Sequence, residues 1–223
     1  MSARLLAEAL GTFFLFATVI GAGIMADNLD GGNVAVALLG TTLPIGAILF
    51  VIITMLGPVS GAHFNPVVTL VMWLRREIAA ADALLYVLVQ LASGVLAVWA
   101  VHLMFDLPIV QVADTPRTGV GQWAGEGIAT FGLIVTILAT ARNAPDKVPL
   151  NVALYIFAAC WLTSSTSFAN PAITVARSLT DTFTGIAPAD IPGFVAAQIV
   201  GALVAMGVCR VLLGAEPEPA AAG

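Results

Sequence analysis

Two asparagine-proline pairs, Asn65-Pro66 and Asn170-Pro171, and two glutamates, Glu8 and Glu126, are the polar groups whose types and spacing could do chemistry in this chain. Each Asn-Pro opens a short apolar stretch; asparagine is a preferred helix N-cap and proline suits the first helical position. A helix start carries roughly half a positive charge, and the asparagine amide adds N–H donors. Two such starts brought together would repel cations while donating to the oxygen of a neutral solute. The glutamates sit at the edges of uncharged runs, where a carboxylate either relays protons or accepts hydrogen bonds from orphan backbone N–H groups. The structural role fits better, because both recur at the same place in a repeat. No His, Cys and carboxylate set has metal-ligand spacing and no nucleophile has an evident base, so neither a metal, a cofactor nor an enzyme activity is expected.

The elements that must position these groups are membrane helices. Of 223 residues, 60% are apolar and 9% charged, with a mean hydropathy of +1.02, which excludes an ordinary soluble globule. Charges are absent from 9–26, 31–74, 83–105, 127–141, 148–176 and 191–209. The net charge of −5 comes without a basic patch, so no nucleic-acid partner is expected. With about 20 residues per span, six spans are predicted at 5–26, 34–56, 83–105, 121–141, 149–166 and 192–213. The uncharged run 31–74 is too long for one helix; Gly57-Pro58 and Asn65-Pro66 should break it, leaving about ten residues before Arg75. Residues 170–180 form a second short stretch, ending near Asp181. Half-length helices are tolerated at membrane depth only when buried in protein or lining a cavity.

The two halves, about 1–108 and 119–214, match each other. Glu8, Thr12, Phe13 and Leu15 recur as Glu126, Thr130, Phe131 and Leu133; Asn65, Pro66 and Thr69 as Asn170, Pro171 and Thr174; Tyr86 and Gln90 as Phe194 and Gln198. Three spans per half invert the second copy, giving an all-α membrane protein of six transmembrane helices and two re-entrant half-helices in one channel domain over 1–214. With both termini cytoplasmic, Arg4, Arg75, Arg76, Arg142, Lys147 and Arg210 lie inside against Arg117 and Arg177 outside, as the excess of inner positive charge requires.

The segments Ser60-Gly61-Ala62-His63-Phe64-Asn65-Pro66-Val67 and Phe168-Ala169-Asn170-Pro171-Ala172 resemble the paired Asn-Pro-Ala signatures of the aquaporin and aquaglyceroporin family, with Val67 in place of the usual alanine. The resemblance implies a passive channel for small uncharged solutes, assembled as a homotetramer in a bacterial inner membrane. It further implies a narrow filter near one mouth, at Ile45, Ala158, Ser167 and Ile173, where Ile173 replaces the arginine usual in the family. A ring without charge or aromatic group would be wide and apolar, compatible with water, glycerol, urea and the neutral trihydroxides of arsenic or antimony. A run from Ile173 to Arg177, followed by Thr180 to Phe183, resembles a bacterial branch associated with metalloid passage. A proton-coupled transporter using Glu8 and Glu126 is the alternative, since inverted repeats with broken helices also describe that class.

The remaining polar groups have quieter readings. Gln90 and Gln198 should tie loops to helices, because an unsatisfied amide at mid-span is costly. His63 is either a pH gate or, the better reading, a packed loop residue whose carbonyl lines the pore with those of Gly61 and Ala62. Cys160 and Cys209 should stand at different depths and remain unbridged, Cys160 being an inert buried thiol or one near the outer pore. Arg177, four residues after Ile173, is the candidate outer-mouth residue: its guanidinium could reach back to the filter, pair with Asp181, or snorkel into the interface. The tail 215–223, alternating Glu and Pro, should be disordered.

Overall fold

The computed structural model describes residues 1–214; the tail for which disorder is expected lies outside the described residues. Those residues form α1 (Ser2–Leu29), α2 (Val34–Ser60), α3 (Pro66–Leu74), α4 (Ala80–Met104), α5 (Val120–Asn143), α6 (Val148–Leu162), α7 (Pro171–Arg177) and α8 (Ile191–Leu213), with no strand among them. Helices α1, α2, α4, α5 and α8 are long and apolar enough to cross a membrane. The sixth crossing, α6, has 15 residues and is extended at its start by a 3-10 turn over Pro145–Lys147. At about 1.5 Å per α residue and 2.0 Å per 3-10 residue the pair reaches about 28 Å, close to the ~30 Å hydrocarbon core.

Two boundaries differ most from expectation, the others by three residues or fewer. Gly57-Pro58 does not end α2, which runs through both Pro44 and Pro58 and stops at Gly61 in the left-handed conformation, φ 86°, with its N–H bonded to the Gly57 carbonyl. Prolines are tolerated in membrane helices because neighbouring polar groups and local adjustments re-satisfy the freed backbone. At the other end of the chain, α6 stops at Leu162 rather than 166, where Thr163 turns extended at φ −105° and ψ 143°.

The packing repeats itself. Helix α1 lies against α2 and α4 as α5 lies against α6 and α8; α2 meets α6, and each half-helix packs on the long helix of the other repeat as well as its own, α3 on α8 and α4, α7 on α4 and α8. The half-helices therefore interlock the two repeats instead of standing within one. With nine and seven residues, α3 and α7 are about 14 and 10 Å long. Neither can span alone, but end to end they nearly do.

Close helix approach depends on small residues, Gly94 and Gly201 among them. A Cβ on Gly94 would press on the Phe16 ring, and one on Gly201 would collide with the Gly127 backbone where α8 crosses α5. Gly201→Leu is expected to cost about 3 kcal/mol or more, because backbone cannot yield as a side chain can. Gly207, on the same helix with nothing near its added Cβ, is the control: Gly207→Leu should match the parent in yield of monodisperse protein and in thermal stability.

Candidate functional site

The two asparagines meet. Asn65 Nδ2 donates to the Ala169 carbonyl at 2.7 Å, and Asn170 Nδ2 donates to the Phe64 carbonyl at 2.9 Å. Each thus grips the residue just before its counterpart. As N-caps, Asn65 Oδ1 accepts from Val67 N at 2.9 Å, and Asn170 Oδ1 accepts from Ala172 N at 2.9 Å and Ile173 N at 3.3 Å. An asparagine amide has two N–H groups, and among the described residues only one of each pair is engaged.

The loops leading into these caps are held open by the glutamates. Glu8 Oε1 accepts from Ser60 Oγ at 2.8 Å and His63 N at 2.9 Å; its Oε2 accepts from Phe64 N at 2.8 Å and Gln90 Nε2 at 2.9 Å. In the second repeat Glu126 accepts from Phe168 N at 2.8 Å, Ala169 N at 2.9 Å and Gln198 Nε2 at 2.6 Å. Gln90 also donates to Thr69 Oγ1 and Gln198 to Thr174 Oγ1, so each amide ties loop, half-helix and long helix together. The loops need that support because Ala62, Phe64, Ser167 and Ala169 all sit at positive φ, 47° to 51°, a conformation that costs an L-residue roughly 1 kcal/mol or more.

A cavity of about 290 Å³ runs past both asparagines. One wall is aliphatic, made of helical stripes four residues apart: Ile45, Leu49 and Ile53 on α2, Leu133, Ile137 and Ala141 on α5, and Val152, Ile156 and Cys160 on α6. The other wall is the two loops, Gly61 to Asn65 and Thr166 to Asn170, with Ile173 and Arg177 at one end and Glu77 at the other. Of the six motif residues only Asn65 and Asn170 face the cavity; Pro66, Val67, Pro171 and Ala172 build the half-helix starts behind them. Gly61, Ala62 and His63 are among the lining residues, the His63 ring standing 3.1 Å from Thr69 Oγ1 through Nδ1. Glu8, Glu126, Gln90 and Gln198 are fully buried and outside the lining.

The expected filter ring is partly displaced. Ile45, Ser167 and Ile173 line the cavity, but Ala158 is exposed on the outer face of α6 and Cys160 takes the inward position. Counting along the chain by the family's spacing misses by two residues, and two residues turn an α-helix by about 200°. Ser167 Oγ is buried without a protein hydrogen-bond partner. Both cysteines are free.

Arg177 neither pairs with Asp181 nor reaches the interface. It is 7% exposed, lies 3.3 Å above the centre of the Phe168 ring, donates through Nε to the Thr184 carbonyl, and lines the cavity. Three residues that the sequence did not assign to the site complete this end. Phe168 supplies the ring, Thr184 the carbonyl, and Arg117, 5.3 Å from the same ring, donates through Nε to the Gly185 carbonyl at 2.7 Å. Burial pulls the Arg117 guanidinium below its usual pKa, opposed by the charge of Glu126. The only signal for this cluster in the sequence was that two basic residues fall on the same side of the predicted topology.

Comparison with known proteins places this geometry. The family model described as major intrinsic protein matches residues 1–166. The chain is 51% identical over 213 residues to an aquaglyceroporin of Rhizobium meliloti (strain 1021), covering 96% of this chain and 91% of that one. It is 32% identical over 147 residues to a glycerol uptake facilitator-like protein of Lactiplantibacillus plantarum, a match spanning 63% of this chain and 64% of that relative. Among solved structures it resembles the aquaglyceroporin from Plasmodium falciparum, with a TM-score of 0.70 at 19% identity over 96% of this chain and 97% of that one, a likeness of fold.

Proposed function

This chain belongs to the major intrinsic protein family, whose members are channel proteins and not enzymes, and on that premise we propose that it passes water and glycerol-sized neutral solutes passively through the cavity between its half-helices. The observation that carries the proposal is the pair of asparagines, each anchored by one amide N–H and presenting the other to a cavity whose opposite wall is aliphatic. A polyol fits such a passage edge-on, hydroxyls toward the amides and loops, carbons toward Leu49, Leu133 and Ile156. Protons and cations are excluded by the two positive helix ends, with Arg177 adding a full charge at one mouth. The ring of Ile45, Cys160, Ser167 and Ile173 carries no charge and no aromatic group, which favours neutral metalloid trihydroxides as well as glycerol over a strict water filter. The proposal includes a homotetramer in a bacterial inner membrane with both termini cytoplasmic, supported by the six-to-two distribution of basic residues. Proton coupling through Glu8 and Glu126 has less support, since both carboxylates lie off the cavity and are occupied by backbone and amide donors.

The test is a panel of water, glycerol, urea and arsenite fluxes in proteoliposomes. Fluxes should rise linearly with solute concentration and ignore proton and sodium gradients; saturation together with dependence on either gradient would replace the channel by a transporter. Asn65→Asp should raise cation currents about tenfold, equivalent to about 1.4 kcal/mol off the barrier. Equal currents in the variant and the parent would remove the helix-end account of exclusion.

A further inference from the structure

At the Arg177 end, a second, smaller cavity of about 60 Å³ adjoins the main one and shares Val19, Ile45, Cys160, Thr166 and Arg177 with it. It adds Arg117 and Thr184 to the lining, so two arginines line one small chamber. Among the described residues neither is in a salt bridge. Asp190 accepts from the Arg117 backbone N–H at 2.7 Å, and Glu126 is occupied by the Phe168 and Ala169 backbone. The side chains are aimed instead by neutral groups: Arg117 by the Gly185 and Phe183 carbonyls, Arg177 by the Thr184 carbonyl and the Phe168 ring. Such groups orient a guanidinium without cancelling its charge, and Arg177, 7% exposed, stands beside the partly buried Arg117 with no carboxylate in direct contact with either. An independent observation points the same way. Thr184 is 2% exposed and belongs to the chamber lining, and its buried Oγ1 has no protein hydrogen-bond partner.

Two guanidiniums and a spare hydroxyl are donors awaiting an acceptor. The chamber has several times the ~15 Å³ that one water requires, room for a small ion but not for a sugar acid. We propose that it binds a small monovalent inorganic anion of the halide or nitrate class, held by Arg117, Arg177 and Thr184 Oγ1. The bound anion obstructs the adjoining mouth of the pore and so lowers neutral-solute flux. It does not cross, because the next section of the path is walled by Ile45 and Ile173, which offer no donors to replace its hydration. The effect on flux rests on the channel reading, while occupancy of the chamber does not.

The experiment measures glycerol permeability of proteoliposomes at constant ionic strength as sodium nitrate replaces sodium gluconate on both sides. Permeability should fall two- to fivefold and level off. Thr184→Val and Arg117→Gln should each raise the half-inhibiting nitrate concentration at least threefold, and Thr184→Ser should restore the parent value, which separates loss of the hydroxyl from loss of folding. Nitrate should also raise the melting temperature of the detergent-solubilised parent more than that of Thr184→Val. Glycerol flux in gluconate no greater than in empty liposomes would defeat the channel reading and leave the melting test to decide the site. Equal flux in nitrate and gluconate, nitrate-carried current, or equal nitrate sensitivity of the parent and both variants would overturn the anion site.

Discussion

Cys160→Phe is expected to lower glycerol flux at least tenfold, and Ala158→Phe to leave it within about twofold. A tenfold loss corresponds to about 1.4 kcal/mol added to the barrier, a modest demand on a ring added to the lining of a 290 Å³ cavity that Cys160 shares with Ile45 and Ile173. Ala158 is exposed on the outer face of α6, where a substitution is usually worth no more than about 0.5 kcal/mol. Cys160→Ser, which preserves the size of the side chain, should conduct like the parent. Stopped-flow light scattering on equal amounts of folded protein decides the matter. Block by Ala158→Phe with free passage through Cys160→Phe would reverse the register assigned to α6.

Glu8→Leu should yield almost no folded protein, and Glu8→Gln a protein weakened by about 2 kcal/mol. The carboxylate has four donors on its two oxygens, from Ser60, His63, Phe64 and Gln90. Leucine orphans all four. Glutamine retains one acceptor oxygen but turns an NH₂ toward Phe64 N–H and the Gln90 amide. Gln90 can answer by rotating, because its Oε1 has no partner; Phe64 N–H cannot, and one buried donor left unmade costs about 1 to 3 kcal/mol. A 2 kcal/mol loss is roughly a thirtyfold change in the folded ratio, readable in denaturant titrations of solubilised protein. Flux per folded molecule should be unchanged. A Glu8→Gln variant that folds like the parent yet loses a proton-dependent part of its uptake would give the carboxylate a transport role.

Some of this was legible in the sequence because it is governed by neighbours a few residues apart. A twenty-residue uncharged run needs a membrane wherever it sits, an Asn-Pro step starts a helix whatever packs beside it, and ten apolar residues are too short to cross. The matched halves then required inversion, and buried loops required acceptors, which named Glu8 and Glu126 with Gln90 and Gln198 beside them. Other features waited on tertiary structure. Pro58 was a break by local rules, but the helix continues to Gly61 in its packed setting. Whether Ala158 or Cys160 faces the pore depends on where α6 sits relative to Ile173 across an intervening loop, and at 100° per residue an offset of two reverses the face. The place of Arg177 was open among three outcomes of similar reach. A ring from one loop, a carbonyl from another and a second arginine from the segment before α5 closed it. Those groups are separated along the chain and brought together only by the interlocked repeats, so the donors of the pore mouth are a property of the fold rather than of any local stretch of sequence.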